Sequence, residues 1–177
     1  MRPLLLLVLL GLAACGTPPA TPTGVQYTPA VQSSYVQAVN AVRTVAQTCN
    51  NQTNSRYPKG PSTLSAAGAL SWSGLLGEVA RQRANYLNAN SVDLTGPNAH
   101  TEGSDPTPFA TRARNNGYAY LNLAENLGNG FSDADAVVGA WLSSQAGHCN
   151  ALMDTAYTQM GLASVGSYWV LIMGKPQ

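Results

Sequence analysis

The chain holds only two imidazoles, His100 and His148. They lie far apart, so there is no local ligand pair of the H-E-x-x-H kind. Glu125 stands in Ala124-Glu125-Asn126-Leu127-Gly128, a carboxylate within an otherwise apolar and small stretch. Ser144 and His148 flank a helix end at Ser143-Ser144-Gln145-Ala146-Gly147-His148. Two imidazoles and a carboxylate can hold a metal or move a proton, provided the fold makes them neighbours. Each also has a plainer reading: a loop histidine, a helix-end cation, a hydrogen-bonded carboxylate at a strand edge. No nucleophile elbow, phosphate loop or catalytic Cys/His signature accompanies them. Cys49 and Cys149 lack C-x-x-C spacing, which speaks against a redox centre. In a secreted chain they read as a disulfide pair.

The elements that must position these groups are legible in part. Thr28-Pro29 reads as an N-cap followed by proline at the first helical position. Val31, Tyr35, Val39, Val42, Ala46 and Cys49 recur at helical spacing, predicting a first helix of about 20 residues. Residues 50–69, rich in Asn, Pro, Gly and Ser, read as loop. A second helix starts near Ser71 or Ser73, with Leu76, Val79, Ala80, Arg83 and Leu87 on its inner stripe. Thr107-Pro108 opens a short third helix that stops at Asn116-Gly117. Ser132 is the expected cap of a fourth, with Asp133 and Asp135 in its first turn and Gly147 at its end. The apolar runs 160–165 and 168–173, around Gly166-Ser167, predict an antiparallel hairpin, and another strand is expected near Leu121 to Ala124. Tyr168 and Trp169 read as sheet core, and Tyr118 and Tyr120 as packing residues. Helices with a small antiparallel sheet make the fold class α+β.

The N-terminus reads as an address. Arg2 precedes about 12 apolar or small residues, too few to span ~30 Å of hydrocarbon as a helix. Residues 1–14 are therefore expected to be a secretory signal peptide. Leu12-Ala13-Ala14-Cys15 resembles the bacterial lipobox, in which the cysteine is acylated and becomes the mature N-terminus. Cysteine arithmetic agrees: of three cysteines, acylating Cys15 leaves an even pair. Two or more acyl chains anchor stably, at roughly 0.8 kcal/mol per buried CH₂. Residues 15–29, with Pro18, Pro19, Pro22 and Pro29, form a semi-stiff linker reaching roughly 40 Å at ~3.1 Å per residue. Residues 30–177 form the folded domain.

Composition narrows the partners. Nine Lys+Arg against eight Asp+Glu give a net charge of +1, which excludes a polybasic nucleic-acid binder. Charged residues are 10% of the chain, against roughly 25% in typical domains, and uncharged polar residues take their place. That surface suits a secreted or surface protein better than a cytosolic one, and a monomer is expected. Asn51-Gln52-Thr53 matches the N-glycosylation pattern, which is incidental in a bacterial lipoprotein.

Four segments in a fixed order carry a family resemblance. His100-Thr101-Glu102-Gly103-Ser104-Asp105-Pro106-Thr107-Pro108-Phe109, with Arg112 and Asn116-Gly117-Tyr118, resembles the "SHTxxDGxxPFxR…xGY" segment of bacterial CAP-superfamily (SCP) domains. Residues 124–130 resemble their "GENIAxG" strand, and residues 136–150 their "AVxxWxxSxGHCxNIM" segment. Gly161-Leu162-Ala163 and Tyr168-Trp169 match "xGVA…YWxQxFG", and residues 70–76 resemble the "LxWNxxLxxxA" opening. The resemblance implies a three-layer α-β-α sandwich with a small central antiparallel sheet, and a cleft where His100, Glu125 and His148 converge. Ser144 stands where many members carry a fourth, acidic residue, and Ala124 stands where glycine is usual. The family's loop cysteine and "GHC" cysteine match Cys49 and Cys149.

Two histidines and a carboxylate can bind zinc with an open position for water. A hydrolase also needs a base, an oxyanion stabiliser and a substrate pocket. The family resemblance implies a secreted binding module, so the expected function is a membrane-anchored, extracytoplasmic binding module for a lipid-like ligand or an envelope partner, without catalytic residues and with zinc as its candidate cofactor. The alternative is a metal-dependent hydrolase of peptide, ester or nucleic acid.

Overall fold

The computed structural model describes residues 27–177. The expected signal peptide, Cys15 and nearly all of the expected linker lie outside the described residues. Eleven elements follow in chain order: α1 (Pro29–Arg43), β1 (Gln47–Asn51), β2 (Gly60–Leu64), β3 (Ser71–Trp72), α2 (Gly74–Ala89), α3 (Pro108–Asn115), β4 (Tyr120–Asn129), α4 (Ala134–Ser143), α5 (His148–Met153), β5 (Gln159–Val165) and β6 (Tyr168–Pro176).

The main sheet has the order β3-β5-β6-β4. The hairpin β5–β6 pairs antiparallel through Val165↔Tyr168, and β4 runs antiparallel along β6 with Glu125↔Ile172 in register. The two-residue β3 pairs parallel to β5, a departure from a purely antiparallel sheet. Alternation along the strands decides the layers. On β6, Trp169, Leu171 and Met173 face one core with α1, α4 and α5 residues such as Val39, Trp141 and Leu152. Tyr168, Val170 and Ile172 face the other, with Leu76, Ala80 and Leu87 of α2 and Ala113 of α3. The result is a three-layer α-β-α sandwich whose sheet is covered on both faces. Gly161 permits the tightest approach, because a Cβ there would fall on the backbone of Leu76 and Gly77.

Several boundaries differ from the sequence expectation. The first helix ends at Arg43, and Cys49 lies on β1 rather than on the helix. Its helical spacing was shared by a buried strand position. The expected loop after it contains the hairpin β1–β2, with Cys49↔Ser62 in register. Asp133, not Ser132, caps α4 by accepting from Ala136 N at 2.9 Å, while Ser132 Oγ donates to Asp133. Asp133 occupies the position before the first helical residue, three before Ala136, from which a side chain reaches that N–H. Gly147 does not end α4, which stops at Ser143. It opens α5 in a left-handed conformation, φ +84°, with its α-carbon against Asn54. Ser73 accepts from Leu76 N to start α2.

Cys49 and Cys149 form a disulfide, with Cα atoms 5.5 Å apart and both residues fully buried. It ties the β1–β2 hairpin to α5. Asn51, also buried, uses its amide nitrogen on the carbonyls of Asn54, Tyr57 and Pro58 and its oxygen on Asn54 N. The nitrogen of the Asn51-Gln52-Thr53 pattern is thus engaged in holding the hairpin loop.

Candidate functional site

The groups come together over the middle of β4. His100 arrives on the long loop between α2 and α3, Glu125 on β4, and His148 as the first residue of α5. All three line a cleft of about 210 Å³, whose other walls include Asn54, Tyr57, Phe109 and Asn126. Ser144 is not in the wall. It sits behind His148, with its hydroxyl 3.0 Å from Nδ1, and also accepts from Ala146 N at 3.1 Å.

Glu125 is held from below by a residue that the sequence reading placed only on the inner stripe of α2. Arg83, with no solvent exposure, donates from Nε to Glu125 Oε2 at 3.0 Å and from Nη1 to Glu102 Oε1 at 2.7 Å. Its Nη2 donates to Ala99 O at 2.6 Å. Arg112 closes the arrangement with two bonds to Glu102, at 2.6 and 2.8 Å. Arg83 thus grips the loop on both sides of His100, at Ala99 and Glu102, as well as the carboxylate that meets His100. An arginine facing inward on an amphipathic helix signals a buried anion. Which anion was not legible, because Glu102 and Glu125 reach Arg83 only through tertiary packing.

The two imidazoles are held differently. Glu125 Oε1 lies 2.8 Å from His100 Nδ1. A carboxylate only accepts, so Nδ1 carries the proton and Nε2 is the nitrogen left for the cleft. At His148 the partner is a hydroxyl, which can donate or accept, so neither tautomer is imposed. Burial, and then the neighbouring His100, push the His148 imidazole down to about 4. It is neutral at pH 7 and a weak base. Its position is set by the hairpin: Gln145 O accepts from Gln52 N at 2.7 Å and Thr53 N at 3.3 Å, and the disulfide adjoins it at Cys149.

Both oxygens of Glu125 and of Glu102 are engaged by Arg83, Arg112 and His100. Among the described residues, no three His, Cys, Asp or Glu side chains form a ligand group. The cleft thus offers two imidazoles, with both oxygens of Glu125 already engaged by Arg83 and His100.

The described residues thus form a sandwich with helices on both faces of a small sheet, with two imidazoles and a glutamate at one edge. The chain belongs to the cysteine-rich secretory protein (CAP) family, whose model matches residues 36–172. It is similar in structure to an extracellular SCP-domain protein from Bacillus anthracis, with a TM-score of 0.62, 17% identity, and coverage of 86% of this chain and 45% of that one. A cysteine-rich secretory protein from Staphylococcus aureus matches with a TM-score of 0.56, 17% identity, and coverage of 86% and 40%. An outer surface protein from Borrelia burgdorferi matches at 0.54, with 25% identity, covering 63% of this chain and 80% of its own. The chain spans less than half the length of the first two proteins. A search of curated proteins gives no significant match. Among the described residues, no helix is long and apolar enough to cross a membrane.

Proposed function

We propose that this chain is an extracytoplasmic binding module, held at a bacterial membrane by acyl chains on Cys15, whose cleft receives a segment of an envelope partner between His100 and His148. The observation that carries this reading is the state of the two imidazoles. Each is tethered through Nδ1, and His148 is too weak a base to drive proton abstraction at neutral pH. Among the described residues lining the cleft, none is a serine, threonine or cysteine. The cleft volume also favours a narrow ligand. At about 210 Å³ it falls below the ~300–1,000 Å³ of pockets that enclose drug-sized molecules, which argues against a whole lipid tail there.

The hydrolase reading draws its support from the same wiring, since a carboxylate behind a histidine is the outer-shell pattern of metal sites. His100 and His148 would hold a zinc ion, which as a Lewis acid would polarise a bound carbonyl or water. Glu125 would fix His100, and Ser144 would orient His148.

Metal analysis of the mature protein, with and without His100→Ala, separates these readings when combined with hydrolysis assays on peptide, ester and nucleic-acid panels with zinc added. Absence of turnover, with or without stoichiometric metal, supports the binding module. Turnover that chelators abolish and zinc restores overturns it.

A further inference from the structure

The cleft lies along an unpaired strand edge. β4 is the outer strand of its sheet, and four consecutive residues, Leu123 to Asn126, line the cleft. Which of them offer backbone groups follows from three hydrogen bonds. Trp141 Nε1 donates to Leu127 O at 2.7 Å, so that carbonyl points away from β6. Gly130 N donates to Ser167 O at 2.9 Å, so the even-numbered positions face β6. Thr158 N donates to Gly174 O at 3.0 Å, which turns Gly174 toward β5 and leaves Met173 and Leu171 to face Ala124 and Asn126. By the two-residue period of a strand, Leu123 and Glu125 turn both N–H and C=O outward over the cleft. The next outward carbonyl, at Leu127, is capped by Trp141. The opening therefore ends at Leu127 and includes the stretch that lines the cleft. A further acceptor, Asn126 Oδ1, is buried there without a partner among the described residues, while Asn126 Nδ2 donates to His148 O at 3.1 Å.

We infer that the cleft binds an extended peptide segment of a protein partner, which adds to β4 as a further strand by pairing with the backbone of Leu123 and Glu125. The inference rests on the binding-module reading and names the class of ligand. Two outward residues present two donors and two acceptors at strand spacing. A peptide backbone matches that row, whereas an acyl chain leaves every group unpaired. Open edges attract such pairing. Side chains of the added strand alternate between the His100–Phe109 wall and the His148–Tyr57 wall.

The test uses the mature protein and a displayed library of random eight-residue peptides. Peptides that bind are synthesised with single backbone N-methyl groups. Methylation at alternate residues is expected to weaken binding roughly five- to tenfold per lost hydrogen bond, with the intervening residues insensitive. Leu123→Pro, whose missing N–H lies on the outer edge and not in the β6 ladder, is expected to abolish binding. Should that variant fail to fold, the methylation series in the native protein still decides. Binding without the two-residue alternation, or no enriched peptide alongside capture of fatty-acid vesicles by the cleft, overturns strand addition and leaves the binding-module reading intact. Selected peptides that show the alternation but are recovered cleaved uphold strand addition and overturn the non-enzymatic reading.

Discussion

Arg83 donates from Nε to Oε2 of Glu125 at 3.0 Å, and the other oxygen of that carboxylate meets His100. The arginine has no solvent exposure and the glutamate side chain 1%. The candidate site therefore stands on a buried ion pair between α2 and β4. Removing one member of such a pair costs roughly 3–5 kcal/mol, because the other stays behind without compensation. Arg83→Ala is expected to destabilise by that amount in denaturant unfolding. Arg83→Lys recovers little, since an ammonium cannot reach Glu125, Glu102 and Ala99 in one fixed fork. Combining Arg83→Ala with Glu125→Gln should cost less than the sum of the two changes. Strict additivity would show that the pair is not coupled.

His148 makes stability depend on pH. The unfolded chain protonates this imidazole near 6.5, the folded protein only near about 4. Between those values the unfolded state binds the proton and the folded state does not. The contribution is thus fully present above about 6.5 and is lost as pH falls toward about 4. The window corresponds to on the order of 3 kcal/mol. Unfolding free energies of wild type and His148→Gln, compared from pH 7.5 to 4, should diverge in slope across it. Parallel curves would contradict the burial of a neutral imidazole.

Ser144 is a second handle on the same ring. Placing a carboxylate there, as Ser144→Glu, puts an anion beside Nδ1 and favours the imidazolium. Histidine proton resonances should then show His148 titrating about one unit or more higher, with its tautomer matched to that of His100. An unmoved titration would mean that the serine does not face the ring in solution.

The disulfide closes a separation of 100 residues. Chain entropy alone assigns such a loop roughly 4.7 kcal/mol, although the mechanism is model-dependent. Cys49→Ser with Cys149→Ser should lower the melting temperature strongly and broaden the His148 resonances, because the β1–β2 hairpin no longer clamps α5. In native protein the two cysteines should resist alkylation. An unchanged melt with two reactive thiols would remove the bridge.

Two glycines should respond in opposite senses. Gly161→Ala drives a methyl into the α2 backbone and is expected to cost about 3 kcal/mol or more. Gly139, within α4, has open space at its Cβ position, so Gly139→Ala should stabilise by roughly 0.5–1 kcal/mol. Thermal unfolding of the two variants checks both signs.

Local patterning by itself determined much of this protein. Thr28-Pro29 starts α1, the stripe Leu76, Val79, Ala80, Arg83, Leu87 forms the inner face of α2, and the runs around Gly166-Ser167 make the β5–β6 hairpin. Caps, periods and turns act between residues a few positions apart, so sequence displays them directly. Other features could not be seen there. The strand under Cys49 shares its spacing with a helix, the start of α4 falls one residue later than Ser132 suggests, and the role of Arg83 depends on carboxylates 19 and 42 residues away. The free edge of β4 is likewise a property of strand order. These contacts exist only once both faces of the sheet are covered, and that burial is what makes an unpaired charge or backbone group costly enough to fix its partner.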